Sequence, residues 1–129
     1  GRLVQVFVNL IRNSVHALRT LDDHDGRVCV SASRETREDG EWVVISILDN
    51  GPGIDPGMID SIFDPFVSTR LDAQGTGLGL AVADGIVREH GGVVVPSNLE
   101  RDEGDGSRMG GAKFEVHLPV SGLETQISD

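Results

Sequence analysis

The chain has 129 residues and a formal net charge of -10, enough length for one domain with a real core and too little for two. That charge excludes nucleic acid as the main partner, because a phosphate backbone rewards a basic face, and any phosphate ligand must be held by local features against the overall field. No apolar run reaches the length of a membrane span, no signal-peptide pattern opens the chain, and the single cysteine, Cys29, has no internal disulfide partner, so the expected location is the cytoplasm.

Residues 3–18 carry Leu3, Val4, Phe7, Val8, Ile11, Val15 and Leu18 at spacings of three and four, which predicts an amphipathic helix. Asn9 and Asn13 lie four residues apart on it, two carboxamides one above the other. Residues 27–34 alternate, with Val28, Val30 and Ala32 on one face, and predict a strand; Cys29, within that apolar alternation, reads as a core residue. After the polar turn ETREDGE, the segment WVVISILD is almost wholly apolar and predicts a central strand. NGPGIDPG at 50–57 is a loop, followed by a short helical turn around Met58–Ile62. Residues 63–76 show no clean period. Residues 77–90 predict a second helix with Leu78, Val82 and Ile86 on one side, stopping at Gly91-Gly92. Strands at 93–97 and 112–118 flank a polar, glycine-rich excursion at 98–111, and residues 121–129 read as a flexible tail. Two helices and four strands, layer on layer, give an α/β sandwich formed by a single domain over 1–129.

Two glycine segments could carry chemistry. QGTGLGLAV leads a loop into a helix, and Gly75, Gly77 and Gly79 would let backbone N–H groups close on phosphate oxygens at the positive end of that helix. The spacing is neither a Walker pattern nor a dinucleotide fingerprint, and a plain loop ending at a helix start explains it equally well. In DNGPGI, Asp49 ends an apolar strand, so its carboxylate is partly buried and needs a donor. A ligand amine such as that of adenine would serve, and so would neighbouring backbone N–H groups in a turn.

Taken together and in order, NLIRNSVHAL, DNGPGI, IFDPF, GTGLGLAV and GGAKFEVHLP resemble the N-box, first glycine box, F-box, second glycine box and closing strand of the ATP-binding catalytic domain of sensor histidine kinases, within the gyrase, chaperone, kinase and mismatch-repair ATPase superfamily. The resemblance covers roughly residues 3–120, and FDPFVSTR with NLIRN is closest to kinases of the nitrogen-regulation and dicarboxylate-sensing type. It implies a two-layer α/β sandwich of the Bergerat type, with a mixed sheet and helices on one face. It implies ATP and Mg²⁺ as cofactors, with Asn13 coordinating the metal through its amide oxygen and Asn9 supporting metal and phosphates. Arg12 and His16 fall at phosphate-contacting positions. Asp49 would accept from the adenine amine, and Gly51, Gly53 and Ile54 would line the base pocket. Gly75, Thr76, Gly77, Leu78, Gly79 and Leu80 would form the phosphate-binding loop and helix start. Thr69 and Arg70 would sit in a lid, Arg70 reaching the γ-phosphate, with Phe63 and Phe66 anchoring it.

The implied activity is transfer of the γ-phosphoryl group of Mg-ATP to a histidine. In the superfamily's hydrolases a Glu stands four residues before the metal-binding Asn, whereas this chain has Asn9 there. An amide is no general base, and an imidazole nucleophile needs none. Two other readings stand beside this one: a nucleotide-binding regulatory module without turnover, and an ATPase of the same superfamily. The resemblance places the family's phosphoacceptor on a helical hairpin N-terminal to this domain, a context that His16, His24, His90 and His117 lack. The implied partners are therefore a dimerisation and histidine-phosphotransfer domain outside this chain and a downstream response regulator, with no nucleic acid and an isolated domain that is monomeric. The chain looks truncated at its N-terminus, where relatives carry further strand structure, so an apolar strand is expected to lie unpaired at the sheet edge, in what would be the cytosolic part of a sensor. Ala112 stands where several relatives carry a hydroxyl residue.

Overall fold

A computed structural model describes residues 2–19, 25–64, 79–99 and 111–121. In chain order they form α1 (Arg2–Leu18), β1 (Val28–Arg37), β2 (Gly40–Asp49), a single 3₁₀ turn (Ile59–Ser61), α2 (Gly79–Glu89), β3 (Val93–Leu99) and β4 (Gly111–Pro119). The strands make one sheet in the order β1-β2-β4-β3. All three pairings are antiparallel, so the described sheet is antiparallel where a mixed one was expected. The connection through α2 does return a strand in the direction of β2, but β4 inserts between β2 and β3, and parallel neighbours never meet.

The two helices lie antiparallel on one face of the sheet: Asn9 of α1 meets the first residue of α2, and Arg2 pairs with Glu89 at its last turn. Strand alternation sends Ile47 and Asp49 of β2 and Ala112, Phe114, Val116 and Leu118 of β4 toward the helices. There they meet Val6 and Leu10 of α1 and Leu80, Ala83, Ile86 and Val87 of α2, all buried in one core. Phe63, just after the 3₁₀ turn, stands edge-on to Phe114 with ring centroids 6.4 Å apart.

Three expectations from the periodicity are corrected by position in the sheet. Val28, Val30 and Ala32 do share the helix-facing side of β1, as their pairing with Asp49, Ile47 and Ile45 requires. Yet β1 is an edge strand, the core is centred on β2 and β4, and Val30 is 55% exposed. Cys29, on the opposite side of the same strand, is exposed and not a core residue. On α2 the buried stripe is Leu80, Ala83, Ile86 and Val87, while Val82 is 38% exposed; α1 packs alongside and rotates the buried face. Leu78, also expected on that face, lies outside the described residues, as do the 100–110 part of the excursion, residues 122–129 and His24.

Both glycines that end α2 have separate reasons. Gly91 adopts φ +81°, and the N–H of Gly92 reaches Val87 O while that of Gly91 reaches Arg88 O, each at 3.0 Å. This pair of bonds is the Schellman closure, which favours glycine at the left-handed position. Gly92 itself is pressed against β4, where a Cβ would run into the carbonyl oxygen of His117.

Phe114→Ala is expected to lower unfolding free energy by about 3–5 kcal/mol in a urea titration, whereas Val30→Ser on the exposed edge stays within about 0.5 kcal/mol.

Candidate functional site

The end of β2 is built around a carboxylate. Asp49 is 1% exposed, and its Oδ1 accepts from the N–H of Gly51 at 2.9 Å and from the N–H of Ala112 at 3.3 Å. Oδ1 serves the backbone, and Oδ2 is used in neither bond. The β2–β4 ladder stops at Leu48–Lys113, and the next amide, Ala112, turns to the side chain instead of a strand. So tight a fit leaves no room for side chains nearby. A Cβ on Gly111 (φ +108°) would run into the Asp49 carbonyl oxygen and lie 2.8 Å from both Asp49 Oδ1 and Gly51 N.

The loop after Asp49 is fixed by side chains reaching across the fold. Asn50 Oδ1 accepts from Arg27 N at 2.7 Å and its Nδ2 donates to Asp25 O at 2.8 Å, fastening the loop to the start of β1. Gly53 takes φ +83°. Ile54 is buried in the core, and its backbone is held on both sides by Asn98, through Ile54 N to Oδ1 and Nδ2 to Ile54 O, each 2.7 Å.

α1 joins this loop to the second glycine segment. Its face carrying Asn9, Arg12, Asn13 and His16 follows from helical spacing over Arg2–Leu18. Asn9 Nδ2 donates to Gly79 O at 3.1 Å, across 70 residues. At the other end of α1, a Cβ on Gly51 would sit 3.5 Å from Leu18. Asn13 thus lies one turn along from the α2 start and toward the Asp49 loop. It is 5% exposed, and among the described residues its Oδ1 is buried without a hydrogen-bond partner. A buried amide oxygen left unpaired costs free energy unless a ligand completes it. Arg12 is exposed and His16 half-buried.

The fold thus brings together Asn9, Arg12, Asn13 and His16 on one helix face, Gly79 and Leu80 at the start of α2, and Asp49, Gly51, Gly53 and Ile54 at the end of β2. Phe66, Thr69, Arg70, Gly75, Thr76, Gly77 and Leu78 lie outside the described residues. Asn98, Asn50 and Gly111 were not singled out by sequence reasoning. Asn98 had one signal, a polar residue in phase with Val94 and Pro96 on the helix-facing side of β3. Among the described residues no cluster of three His, Cys, Asp or Glu could hold a metal, and no helix is long and apolar enough to cross a membrane.

Comparison with known proteins agrees with this geometry. Residues 1–122 match the family described as Histidine kinase-, DNA gyrase B-, and HSP90-like ATPase, and the chain belongs to that family. It is 40% identical over 120 residues to the sensor histidine kinase ZraS of Escherichia coli (strain K12), a match covering 93% of this chain and 22% of that protein. It is 37% identical over 103 residues to the sensory histidine kinase/phosphatase NtrB of Rhizobium meliloti (strain 1021), covering 72% of this chain and 26% of the relative. The chain therefore spans about a quarter or less of the length of these two. Among solved structures, the catalytic domain of histidine kinase ThkA superposes with TM-score 0.68 at 28% identity, over 92% of this chain and 67% of that one. Full-length ShkA in complex with AMPPNP gives 0.67 at 31% identity, over 92% of this chain and 21% of that one.

Gly111→Ala is expected to destabilise the fold by roughly 2 kcal/mol or more, through a strained φ and a clash with the Asp49 backbone. A thermal unfolding midpoint unchanged from the parent would show that β4 does not pack on Asp49 as described.

Proposed function

We propose that the chain is the catalytic, ATP-binding part of a histidine kinase: it binds Mg-ATP and donates the γ-phosphoryl group to a histidine on another domain. The observation that carries the reading is Asn13 Oδ1, a buried amide oxygen with no hydrogen-bond partner among the described residues, between the start of a helix and a buried carboxylate. A neutral oxygen donor of this kind suits Mg²⁺, which takes few protein ligands and draws others from water and phosphate. When bound, the ion would supply neutralisation of phosphate charge. The chain's own groups divide the remaining work. Asn13 would hold the metal, and Asn9, Arg12 and His16 would line the phosphates from α1. Backbone N–H groups of the 75–80 segment would bind phosphate oxygens at the positive end of α2. Asp49 Oδ2 would accept from the adenine amine, with Gly51, Gly53 and Ile54 walling the base. Thr69 and Arg70 would close over the nucleotide, anchored by Phe63 and Phe66, Arg70 facing the γ-phosphate.

In the reaction, an imidazole nitrogen attacks the γ-phosphorus, an N–P bond forms, the bond to the β,γ-bridging oxygen breaks, and ADP leaves. The imidazole loses its N–H proton to solvent. No carboxylate is needed to generate the nucleophile, and catalysis is positioning with charge stabilisation. Asn9 bears on the competing ATPase reading. Its amide has no basicity, and its Nδ2 is already committed to Gly79 O. The acceptor histidine, a dimerisation domain that carries it and a response regulator are the partners this reading calls for.

Titration of the chain with ATP, with and without Mg²⁺, while recording free phosphate, tests the reading. Binding that depends on Mg²⁺, little phosphate release, and transfer to a separately supplied histidine hairpin are expected. Steady phosphate release without an acceptor would favour the ATPase. Asn13→Ala is expected to erase the strengthening of ATP binding by Mg²⁺; a full metal effect in that variant moves the metal elsewhere. Asp49→Asn can still serve the Gly51 and Ala112 N–H groups through its oxygen, and then turns an NH₂ group toward the base. It is expected to weaken ATP binding about 10–100-fold while the fold persists.

A further inference from the structure

We propose that Asn98 is a positioning residue that sets the base selectivity of the nucleotide pocket, an inference that rests on the nucleotide-binding reading above. Asn98 stands on β3 opposite Ala112, the residue whose N–H serves Asp49. Its carboxamide gives Ile54 both bonds that a neighbouring strand would give, Ile54 N to Oδ1 and Nδ2 to Ile54 O at 2.7 Å, across 44 residues. Between Pro52 and Ile54 these are the backbone hydrogen bonds made among the described residues.

The loop from Asp49 to Ile54 is therefore pinned independently at its two ends. Asp49 is fixed by β2 and by the Ala112 amide, and Ile54 is fixed by Asn98. The approach is close enough to dictate the residue beside it: a Cβ on Gly53 would lie 2.8 Å from Asn98 Oδ1. A base held between Asp49 and the far end of this loop is discriminated only if the far end stays at a fixed distance from the carboxylate. An amide is the side chain that offers one donor and one acceptor in a plane, matching a peptide N–H and C=O. Release of the clamp leaves Asp49 in place and lets the opposite wall shift, so a misfitting base is rejected less well.

Affinities for Mg-ATP and Mg-GTP, measured on the wild type, Asn98→Ala and Asn98→Ser, test the proposal. Asn98→Ala is expected to bind ATP roughly 3–30-fold more weakly, with a smaller loss for GTP, so that the ATP-to-GTP ratio falls. Asn98→Ser, which keeps one hydroxyl able to donate and accept, should fall between the two. Asn98 is exposed on an edge strand, so both variants are expected to fold, as far-ultraviolet circular dichroism would record. An unchanged ratio overturns the proposal, whether ATP affinity is untouched or both nucleotides weaken equally, since a merely structural role would not distinguish the bases. If Asn98→Ala does not fold, the Asn98→Ser ratio decides by the same criterion. A wild-type chain that binds neither nucleotide overturns the nucleotide reading itself, a different outcome from a wild type that binds with a ratio insensitive to Asn98.

Discussion

A carboxylate at the end of a central strand has to be satisfied by the fold around it, and much of the site follows from that requirement. Asp49 lies out of solvent, and its Oδ1 collects two backbone N–H groups from different elements, Gly51 in its own loop and Ala112 on β4. Leaving such a group unpaired would cost several kcal/mol. The consequences run outward. The β2–β4 ladder is cut at Leu48–Lys113 because Ala112 is needed elsewhere. Gly111 must be glycine because its Cα faces the Asp49 backbone. The loop that leaves Asp49 must then turn sharply, and it does so with Gly53 at positive φ.

α1 links that loop with the second glycine segment. One face of the helix is apolar and buries Val6 and Leu10 against the sheet, and the next face carries two carboxamides with different duties. Asn9 spends its donor on Gly79 O, tying the first residue of α2 to α1. A carboxylate has no donor to give at that point, so this bond needs the amide. Asn13 keeps its oxygen buried and unpaired among the described residues. Two identical residue types one turn apart thus differ: Asn9 ties α1 to α2, and Asn13 Oδ1 is buried and unpaired among the described residues.

The sheet shows the opposite economy. Two helices cover the middle of four strands and leave β1 with a solvent-facing side on both surfaces. Polar side chains then do the work along its far end: Glu41 accepts from the Thr36 hydroxyl and from Arg34, and these bonds hold its carboxyl below the usual range. Arg37 lies over the Trp42 ring at 4.5 Å and donates to His117 Nδ1 at 2.7 Å.

Sequence by itself determined the elements and the order of the boxes. The 3.6 period of α1, the apolar run of β2, the Gly91-Gly92 stop and the glycine loop after Asp49 are local patterns, and the structure has them within a residue or three of where the pattern puts them. What only the tertiary structure decided is which side of an element is buried and which distant group completes each polar atom. Periodicity marked Val28, Val30 and Ala32 as one face without saying that β1 lies at an edge, and it marked Cys29 as core for the same reason. Asn98 reads as the start of a loop, and its carboxamide clamps the Ile54 backbone across 44 residues. The bonds that make the site join residues 44, 63 and 70 positions apart. A local pattern records the shape of its own segment; the partner of a side-chain amide or carboxylate is fixed only when helices and sheet have packed, because packing alone brings those backbone groups within reach.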